Sequence, residues 1–252
     1  MVVRRRHLDV ELELTGGAPT DDPSSAAIAP LAAAVTDRDA AEEAAGATVH
    51  LAADHPAESD DAVADAVADA AGFPRRRDLL QLRRPLPVPA DHPARADAPA
   101  LEIRPFRDGP DHHDADAWIR ANNRAVADDP DQGHETQATV AARTAEPWFD
   151  PDDLLLADDP ARPGELAGAC WTKRHPATAE DPALGEIYVI SVDPSHRGER
   201  LGPALVLAGL DHLASIGLGT AVLYVDLANA SARRLYDDLG FVLHRRRRVY
   251  ER

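Results

Sequence analysis

The segment GEIYVISVDPSHRGERLGPAL at 185–205 restricts the fold of this chain more than any other stretch. A run of β-branched and aromatic residues ends at Asp193-Pro194, and a turn with Gly198 and Gly202 leads into an apolar helical pattern. A strand that delivers glycines to a helix N-terminus builds an anion site, because backbone amides and the helix dipole favour negative charge there. The alternative interpretation of the same residues is an ordinary β–α connection.

The elements around this segment predict an α/β domain. From Leu101 onward, short apolar runs alternate with helical patterns, which is typical of that class. The strand patterns at 154–157 and 165–173 are close enough to form a hairpin. We expect strands at 101–106, 154–157, 165–173, 185–192, 220–226 and 241–250, and helices at 114–126, 136–144, 201–216 and 231–239.

The first hundred residues have a different composition. Of the 11 aromatic residues in the chain, only Phe73 falls there, and Ala, Asp and Pro dominate. Large side chains carry most core burial, so this region predicts a thin module. Residues 47–84 align loosely with 220–250, which indicates two related modules in tandem, the first eroded. We therefore expect a truncated module at 1–88, a linker at 89–100 and a catalytic module at 101–252.

Charge and residue counts exclude several classes of protein. Lys and Arg number 27 against 44 Asp and Glu, so the net charge of −17 disfavours nucleic acid as a partner. No stretch reaches the ~20 apolar residues of a membrane span, and Met1 opens a basic run without a signal-peptide core. We expect a cytoplasmic monomer without a metal, because the histidines lack ligand spacing and Cys170 is the single cysteine. Cys170 itself predicts a small core residue, and the arginines at 245–248 predict a charged strand edge.

A second segment, LYVDLANASARRLYDDLGF at 223–241, carries a candidate acid. Asn229 precedes a helical pattern, where its amide can cap the first turn. A tyrosine aimed at a cleft, such as Tyr236, can protonate a thiolate, since the two groups have pKa values of roughly 10 and 8.5. The alternative for Tyr236 is a half-buried packing residue.

Together the two segments resemble the GCN5-related N-acetyltransferase (GNAT) family, whose phosphate loop reads Gln/Arg-x-x-Gly-x-Gly/Ala. The resemblance implies the GNAT fold, a mixed central sheet flanked by helices, with acetyl-CoA as co-substrate. It is closer still to the tandem members of the family that acetylate the cysteinyl amine of Cys-GlcN-inositol to form mycothiol. The stretches that carry this closer resemblance are NNRAVADDPDQG (122–133), AEPWFDPDDLLLA (145–157), WTK (171–173), LGEIYV (184–189) and VDPSHRG (192–198).

The resemblance also implies roles for individual residues. In the family pattern, Glu186 meets the substrate amine, the Val192 amide stabilises the oxyanion, and Tyr236 protonates coenzyme A. The implied cofactor contacts are Ile190, Ser191, Val192, Arg197, Gly198, Glu199, Arg200, Leu201, Gly202, Pro203, Asn229, Ala230, Ser231, Ala232, Arg233 and Arg234. The implied contacts of the Cys-GlcN-inositol acceptor are Asp131, Lys173, Glu186 and Tyr224.

Strand geometry argues against direct contact between Glu186 and the thioester. Regular alternation would place Glu186, Tyr188, Ile190 and Val192 on one face of the strand, with Glu186 some 20 Å from Val192. A bulge or a water relay would have to shorten that distance. The alternative is that Glu186 is an ordinary strand carboxylate.

Two features depart from the family pattern. Arg200 occupies the position of the first motif glycine, where a positive φ would make arginine costly, and Pro203 lacks an amide. The first module has no phosphate loop, and the repeat alignment places Ala68 where Tyr236 stands. Two alternatives to the mycothiol reaction therefore stay open. One is a GNAT enzyme for another amine, such as a protein N-terminus or a polyamine, and the other is an acyl-CoA-binding module without turnover.

Overall fold

The chain divides into two compact units, each of which has its own part of the β-structure. The computed structural model describes residues 2–6, 9–15, 25–44, 48–56, 62–96, 99, 101–107, 109, 112–127, 135–179 and 181–251. The first unit comprises Met1–Leu82, Tyr224–Arg234 and Val242–Arg252, and the second comprises Arg83–Leu223 and Leu235–Phe241. The expected module boundaries, with a linker at 89–100, stay a prediction.

The first unit is built from strands and two helices of the N-terminal region together with the last strand of the chain. Strand β1 pairs antiparallel with β2, β2 parallel with β3, and β3 antiparallel with β10, which lies beside β4. The elements are β1 (Val2–Arg6), β2 (Asp9–Thr15), α1 (Ser25–Ala44), β3 (Thr48–Pro56), α2 (Ala62–Ala70), β4 (Arg75–Pro85) and β10 (Val242–Tyr250).

Strand β10 is an interior strand, so the expectation of a charged strand edge at 245–248 is wrong. It has β3 on one side and β4 on the other. Arg248 is buried and its Nη1 donates to Asp65 Oδ2 at 2.6 Å, while the Tyr250 hydroxyl donates to Asp65 Oδ1 at 2.7 Å. A buried arginine requires such a carboxylate partner. The sequence pattern of four arginines gave no sign of this burial.

The second unit has a mixed sheet in the order β9-β8-β7-β6-β5. Strands β5 to β8 pair antiparallel with their neighbours, and β8 pairs parallel with β9. The elements are α3 (Pro93–Ala96), β5 (Ile103–Pro105), α4 (Asp114–Ala125), α5 (Gln137–Thr144), β6 (Leu154–Asp158), β7 (Leu166–His175), β8 (Leu184–Val192), α6 (Leu201–Ser215), β9 (Thr220–Asp226) and α7 (Ala230–Asp238). Strand β4, strand β9 and helix α7 each contain residues of both units.

These bounds confirm the elements that the sequence pattern predicts in the second half of the chain. The predicted hairpin is the antiparallel pair of β6 and β7. Helix α5 begins after Thr136, whose side chain accepts from the Thr139 amide and caps the helix. Helices α4, α5, α6 and α7 match their predicted ranges to within one or two residues at each end.

Helix α6 and helix α4 contact opposite faces of the β7–β8 pair. A Cβ on Gly168 would lie 2.7 Å from Leu205, and a Cβ on Gly209 would lie 2.7 Å from the Cys170 sulfur, so both glycines allow α6 close to the sheet. On the other face, Trp171 of β7 packs edge-on against Trp118 of α4, with ring centroids 5.3 Å apart. Cys170 is fully buried, which confirms it as a core residue.

The helices of the two aligned segments, 47–84 and 220–250, end in the same way, which supports the hypothesis of an internal repeat. After α2, the amide of Phe73 donates to Ala68 O and that of Gly72 to Asp69 O. After α7, the amide of Phe241 donates to Tyr236 O and that of Gly240 to Asp237 O. Both glycines have positive φ, near 80°, as this helix-ending motif requires. The matching bonds place Ala68 at the position of Tyr236, as the sequence alignment does.

Candidate functional site

Strand β8 carries a β-bulge at Tyr188, which changes the predicted arrangement of its side chains. Trp171 of β7 stands opposite Val189, but the next residue, Thr172, stands opposite Ile187, so Tyr188 is the extra residue. Directly opposed residues in an antiparallel pair point to the same face. Ile190 and Val192 therefore share the face of Cys170, which packs on α6. The prediction that Glu186 shares a face with them is wrong.

The bulge places Glu186 on the opposite face, beside Lys173. Glu186 stands directly across from Lys173 in the register. Six residue steps on β8, from Glu186 to Val192, now match five on β7, which shortens their separation to about 17 Å. Ile190 lies three β7 steps from Glu186, about 10 Å. A bulge therefore exists, as the distance argument required, and it shortens the separation of Glu186 from both Ile190 and Val192.

The edge of β8 that faces β9 is open over most of its length. Among the described residues, β8 pairs with β9 only at Gly185–Ala221 and Glu186–Val222. The Asp193 amide donates to Ala167 O on the β7 side. Because inward and outward amides alternate along an antiparallel strand, the amides of Val192 and Ile190 point away from β7. Two backbone donors thus lie on the unpaired edge of β8.

The loop after β8 turns the chain through two residues with positive φ. A short 3₁₀ turn at Pro194–His196 is capped by Asp193, and Gly198 follows with φ +87°. Arg200 has φ +58° at the N-cap of α6, which confirms that this position requires the left-handed region. A Cβ on Gly202 would lie 3.3 Å from Leu235 and 3.8 Å from Val192, so this glycine lets the helix start against the strand.

Ion pairs hold the loop in the second unit. Arg124 Nε donates to Asp193 Oδ2 at 2.7 Å, and Arg162 Nε donates to Asp159 Oδ2 at 2.6 Å. Burial raises the pKa of Asp193, but hydrogen bonds from Ser195, Arg124 and Arg162 outweigh it and hold that pKa well below the usual range. These partners fix the loop through its side chains.

His196 connects the loop to the turn after β6. Its Nε2 lies 3.0 Å from Asp159 Oδ2 and its Nδ1 lies 2.8 Å from Glu199 Oε2. The two hydrogen bonds, to Asp159 and to Glu199, raise the pKa of His196. Burial would raise the pKa of Asp159, but hydrogen bonds from His196 and Arg162 lower it to about 2. Glu199, an expected cofactor contact, thus already has a partner within the loop.

Tyr236 lies near the C-terminal end of α7 and is 5% exposed. Its ring packs edge-on against Phe241, with centroids 5.8 Å apart. Burial, and secondarily the nearby Cys170 thiol, raises the pKa of Tyr236 above that of a free phenol. Burial likewise raises the pKa of the Cys170 thiol to about 12. The phenol therefore keeps its proton at neutral pH, in surroundings where a thiolate is also more basic than in water.

Lys173 and Glu186 lie in a group of polar and aromatic side chains that the sequence pattern only partly revealed. The Lys173 ammonium lies 4.1 Å from the ring centroid of Trp148 and 5.1 Å from that of Tyr188, which are cation–π distances. Glu186 Oε2 lies 2.6 Å from His175 Nε2. Trp148, Tyr188 and His175 were missed. His175 could have been found from WTKRH, since it is two residues from Lys173 on one face of a strand.

Several of the other predicted contacts belong to the first unit or fall outside the described residues. Asn229 Oδ1 accepts from the Ala232 amide, which confirms the predicted helix cap, and the Ser231 hydroxyl donates to the same oxygen. Tyr224 is partly exposed, and its hydroxyl accepts from Gln81 Nε2 at 2.6 Å. Asp131 lies outside the described residues.

No helix in the described ranges is long and apolar enough to cross a membrane. Within the same ranges, no group of three or more His, Cys, Asp or Glu side chains is placed to hold a metal ion.

A mixed sheet whose strand β8 leads through a glycine turn into helix α6, with helix α4 on the opposite face, is an α/β architecture. The family model described as Acetyltransferase (GNAT) family matches residues 116–241, half of the chain. The chain belongs to this family, and its mixed sheet flanked by helices is the GNAT fold.

Three relatives show the extent of the similarity. The mycothiol acetyltransferase of Acidimicrobium ferrooxidans is 49% identical over 172 residues, 68% of this chain and 53% of the relative. That of Kocuria rhizophila is 43% identical over 69% of this chain and 57% of the relative. That of Thermomonospora curvata is 48% identical over 73% and 58%. The chain thus spans little more than half the length of these curated relatives.

Solved structures are similar at the level of the fold. A GCN5-related N-acetyltransferase from Sphaerobacter thermophilus matches with a TM-score of 0.67 at 20% identity, over 98% of this chain and 74% of that one. A tandem GNAT protein from the clavulanic acid biosynthesis pathway matches with a TM-score of 0.57 at 19% identity, over 86% and 68%.

Proposed function

We propose that this chain is an acetyl-CoA-dependent N-acetyltransferase that acetylates the cysteinyl amine of Cys-GlcN-inositol to form mycothiol. The observation that carries the proposal is the open edge of β8: the outward amides of Ile190 and Val192 lead into the glycine loop at one end of the strand, and Lys173 and Glu186 lie toward the other end. The identity of 43–49% to proteins named mycothiol acetyltransferase supports this acceptor over other amines.

The loop residues fit the pyrophosphate of acetyl-CoA. Gly198 has open space where a Cβ would stand, and its positive φ is one that a glycine adopts without strain. The first turn of α6 offers the amides of Leu201 and Gly202 with the positive end of the helix dipole, although Pro203 offers none. Arg197 and Arg200 add positive charge. The cofactor contacts that the family resemblance implies at Asn229 to Arg234 belong to the first unit and stay a prediction.

The acetyl group would lie in the gap beside β8. There the neutral amine of the acceptor attacks the thioester carbonyl, so that an N–C bond forms and the carbonyl oxygen becomes negative. An outward amide of β8 stabilises this oxygen. We assign this role to Ile190, because it is the outward amide nearer to Glu186, and we assign the pantetheine arm to Val192.

Two side chains would move the protons. Glu186, directly or through one water, accepts the proton that the amine loses. Tyr236 donates its hydroxyl proton to the sulfur as the C–S bond breaks. Burial raises the pKa of Tyr236 and would also raise that of a thiol beside it, so the donor and the leaving group stay matched. Lys173, Tyr224 and Asp131 would hold the sugar and inositol of the acceptor.

The decisive experiment is mass spectrometry of the purified chain incubated with acetyl-CoA and Cys-GlcN-inositol. Acetylated product that grows with time and with enzyme concentration is the expected result. Coenzyme A binding without this product would overturn the proposed acceptor. A panel of peptide N-termini and polyamines would then separate a GNAT enzyme for another amine from a binding module.

We also propose that the chain consists of two tandem modules and acts as a cytoplasmic monomer. The shared helix-ending motif at Gly72 and Gly240 supports the tandem arrangement. Light scattering coupled to size-exclusion chromatography tests the monomer: a mass near 27.0 kDa is expected, and about twice that mass would contradict it.

A further inference from the structure

Glu186 shares a short hydrogen bond with a histidine that has no assigned role. Its Oε2 lies 2.6 Å from Nε2 of His175. The Glu186 side chain is 12% exposed, whereas that of His175 is 40% exposed. A carboxylate as buried as this one needs a hydrogen-bond donor, and His175 supplies one.

The contact depends on the bulge at Tyr188. In the register, Glu186 stands opposite Lys173 and Leu184 stands opposite His175, so His175 is a diagonal neighbour of Glu186. Lys173 and His175 are two residues apart on β7 and point to the same face. Diagonal neighbours on one face are within reach of long side chains. Because the bulge turns Glu186 to this face, it brings the carboxylate to the imidazole.

We propose that His175 is a positioning residue: its hydrogen bond holds the Glu186 carboxylate in the orientation that accepts a proton from the acceptor amine. This inference rests on the proposed function. An ionised carboxylate only accepts hydrogen bonds, so His175 Nε2 carries the hydrogen and donates it. The bond occupies Oε2 and leaves Oε1 to accept the proton of the attacking amine. The proton thus passes from the amine nitrogen to Oε1, and His175 keeps its own.

His175 would raise kcat because it fixes the orientation of the Glu186 carboxylate before the acceptor binds. Glutamate has three side-chain torsions, and an unrestrained carboxylate would sample several orientations relative to the amine. Displacement of a reacting group by about 1 Å can cost ~100-fold in rate. Lys173, whose ammonium lies over Trp148, is the neighbour of Glu186 assigned to the rest of the acceptor.

The test compares His175→Ala with His175→Gln, because a glutamine amide can place an N–H near the position of Nε2. We expect His175→Ala to lower kcat by roughly tenfold to a hundredfold while KM for acetyl-CoA stays within about twofold. His175→Gln should recover most of the lost kcat. Wild-type kcat in His175→Ala, or equal losses in both variants, would overturn the proposal.

His212 provides a matched control. Its Nε2 lies 2.6 Å from Asp153 Oδ1, a bond of the same length between the same groups, on helix α6. We expect His212→Ala to lower the unfolding temperature and leave kcat unchanged. If both alanine variants lose kcat in proportion to their stability, His175 has only a structural role and the proposal fails.

A second measurement separates this inference from the proposed function. In ¹⁵N NMR of the imidazole rings at neutral pH, His175 should carry its hydrogen on Nε2, and Glu186→Gln should shift that signal. A hydrogen on Nδ1 alone would overturn the positioning role whether or not the chain acetylates Cys-GlcN-inositol. Conversely, the expected NMR result with no acetylation of this acceptor would contradict the proposed function alone.

Discussion

Tyr236 shows how the surroundings of one side chain decide what it can do. The residue is 5% exposed and its ring packs edge-on against Phe241. Burial raises the pKa of its hydroxyl, so the phenol stays protonated at neutral pH, as the proposed role of proton donor requires.

The substitution Tyr236→Phe tests this role. We expect kcat to fall by about 100-fold, because general acid catalysis typically contributes 10²–10⁴-fold, while the Kd for acetyl-CoA changes by less than about threefold. Steady-state kinetics and calorimetric titration measure the two quantities. Tyr250→Phe is the control: it removes the bond to Asp65, so it should reduce stability by about 1 kcal/mol without lowering kcat. An unchanged kcat in Tyr236→Phe would remove Tyr236 from the mechanism.

Arg200 combines an unfavourable backbone with a favourable charge. A non-glycine residue in the left-handed region costs about 1–2 kcal/mol. Arg200→Gly should therefore raise the unfolding temperature and, since it removes a positive charge from the loop, weaken acetyl-CoA binding. Arg197 has φ −65°, so Arg197→Gly should weaken binding without the gain in stability. Thermal unfolding of the two variants measures their stability, and titration measures their affinity for acetyl-CoA. A lower unfolding temperature for Arg200→Gly would show that the left-handed backbone of Arg200 is not strained.

At the scale of elements, periodicity and turn residues were sufficient for most of the second half of the chain. The helices at 114–125 and 201–215 follow from apolar spacing, and the loop follows from glycines after a β-branched strand. The bulge at Tyr188 could not be predicted, because GEIYVISV alternates like a regular strand and a bulge depends on the partner strand. The interior position of β10 depends on long-range pairing in the same way.

The bulge and the outward amides can be tested by placing proline along β8. Ile190 and Val192 do not donate to β7, so proline there removes an outward donor and spares that ladder, whereas Val189→Pro removes a ladder bond. We expect Ile190→Pro to lower kcat by about 100-fold or more, and Val192→Pro mainly to weaken acetyl-CoA binding. Val189→Pro should instead destabilise the fold. A larger kcat loss for Val192→Pro than for Ile190→Pro would return the oxyanion role to Val192.

At the scale of the whole molecule, the chain carries 17 excess negative charges and is proposed to bind an anion. Such a surface repels a phosphate group in general, so recognition must be local. In the proposal, the loop supplies this recognition locally, through the amides of Leu201 and Gly202 and the charges of Arg197 and Arg200. The net charge therefore indicates that nucleic acid is an unfavourable partner. The geometry of the loop is what supports the proposed binding of acetyl-CoA.

The pair of His196 and Asp159 makes the stability of the chain depend on pH in a defined window. Because the pKa of His196 is raised in the folded chain, its ion pair contributes fully to the free energy of unfolding below about pH 6.5. This contribution is lost as the pH rises through the raised pKa. Asp159 has a pKa lowered to about 2, so its contribution is complete above about pH 4 and is lost as the pH falls toward 2. The pair should therefore stabilise most between about pH 4 and 6.5.

A double-mutant cycle of His196→Gln and Asp159→Asn, followed by chemical denaturation at pH 5.5 and pH 8.5, measures this pair directly. The coupling between the two side chains should be favourable at pH 5.5 and smaller at pH 8.5, because His196 loses its charge as the pH rises through its raised pKa. Loss of the His196 charge should also weaken its hydrogen bond to Glu199 in the loop. Acetyl-CoA binding should therefore depend more strongly on pH in the wild-type chain than in His196→Gln. A coupling equal at both pH values would show that the bond persists with a neutral imidazole.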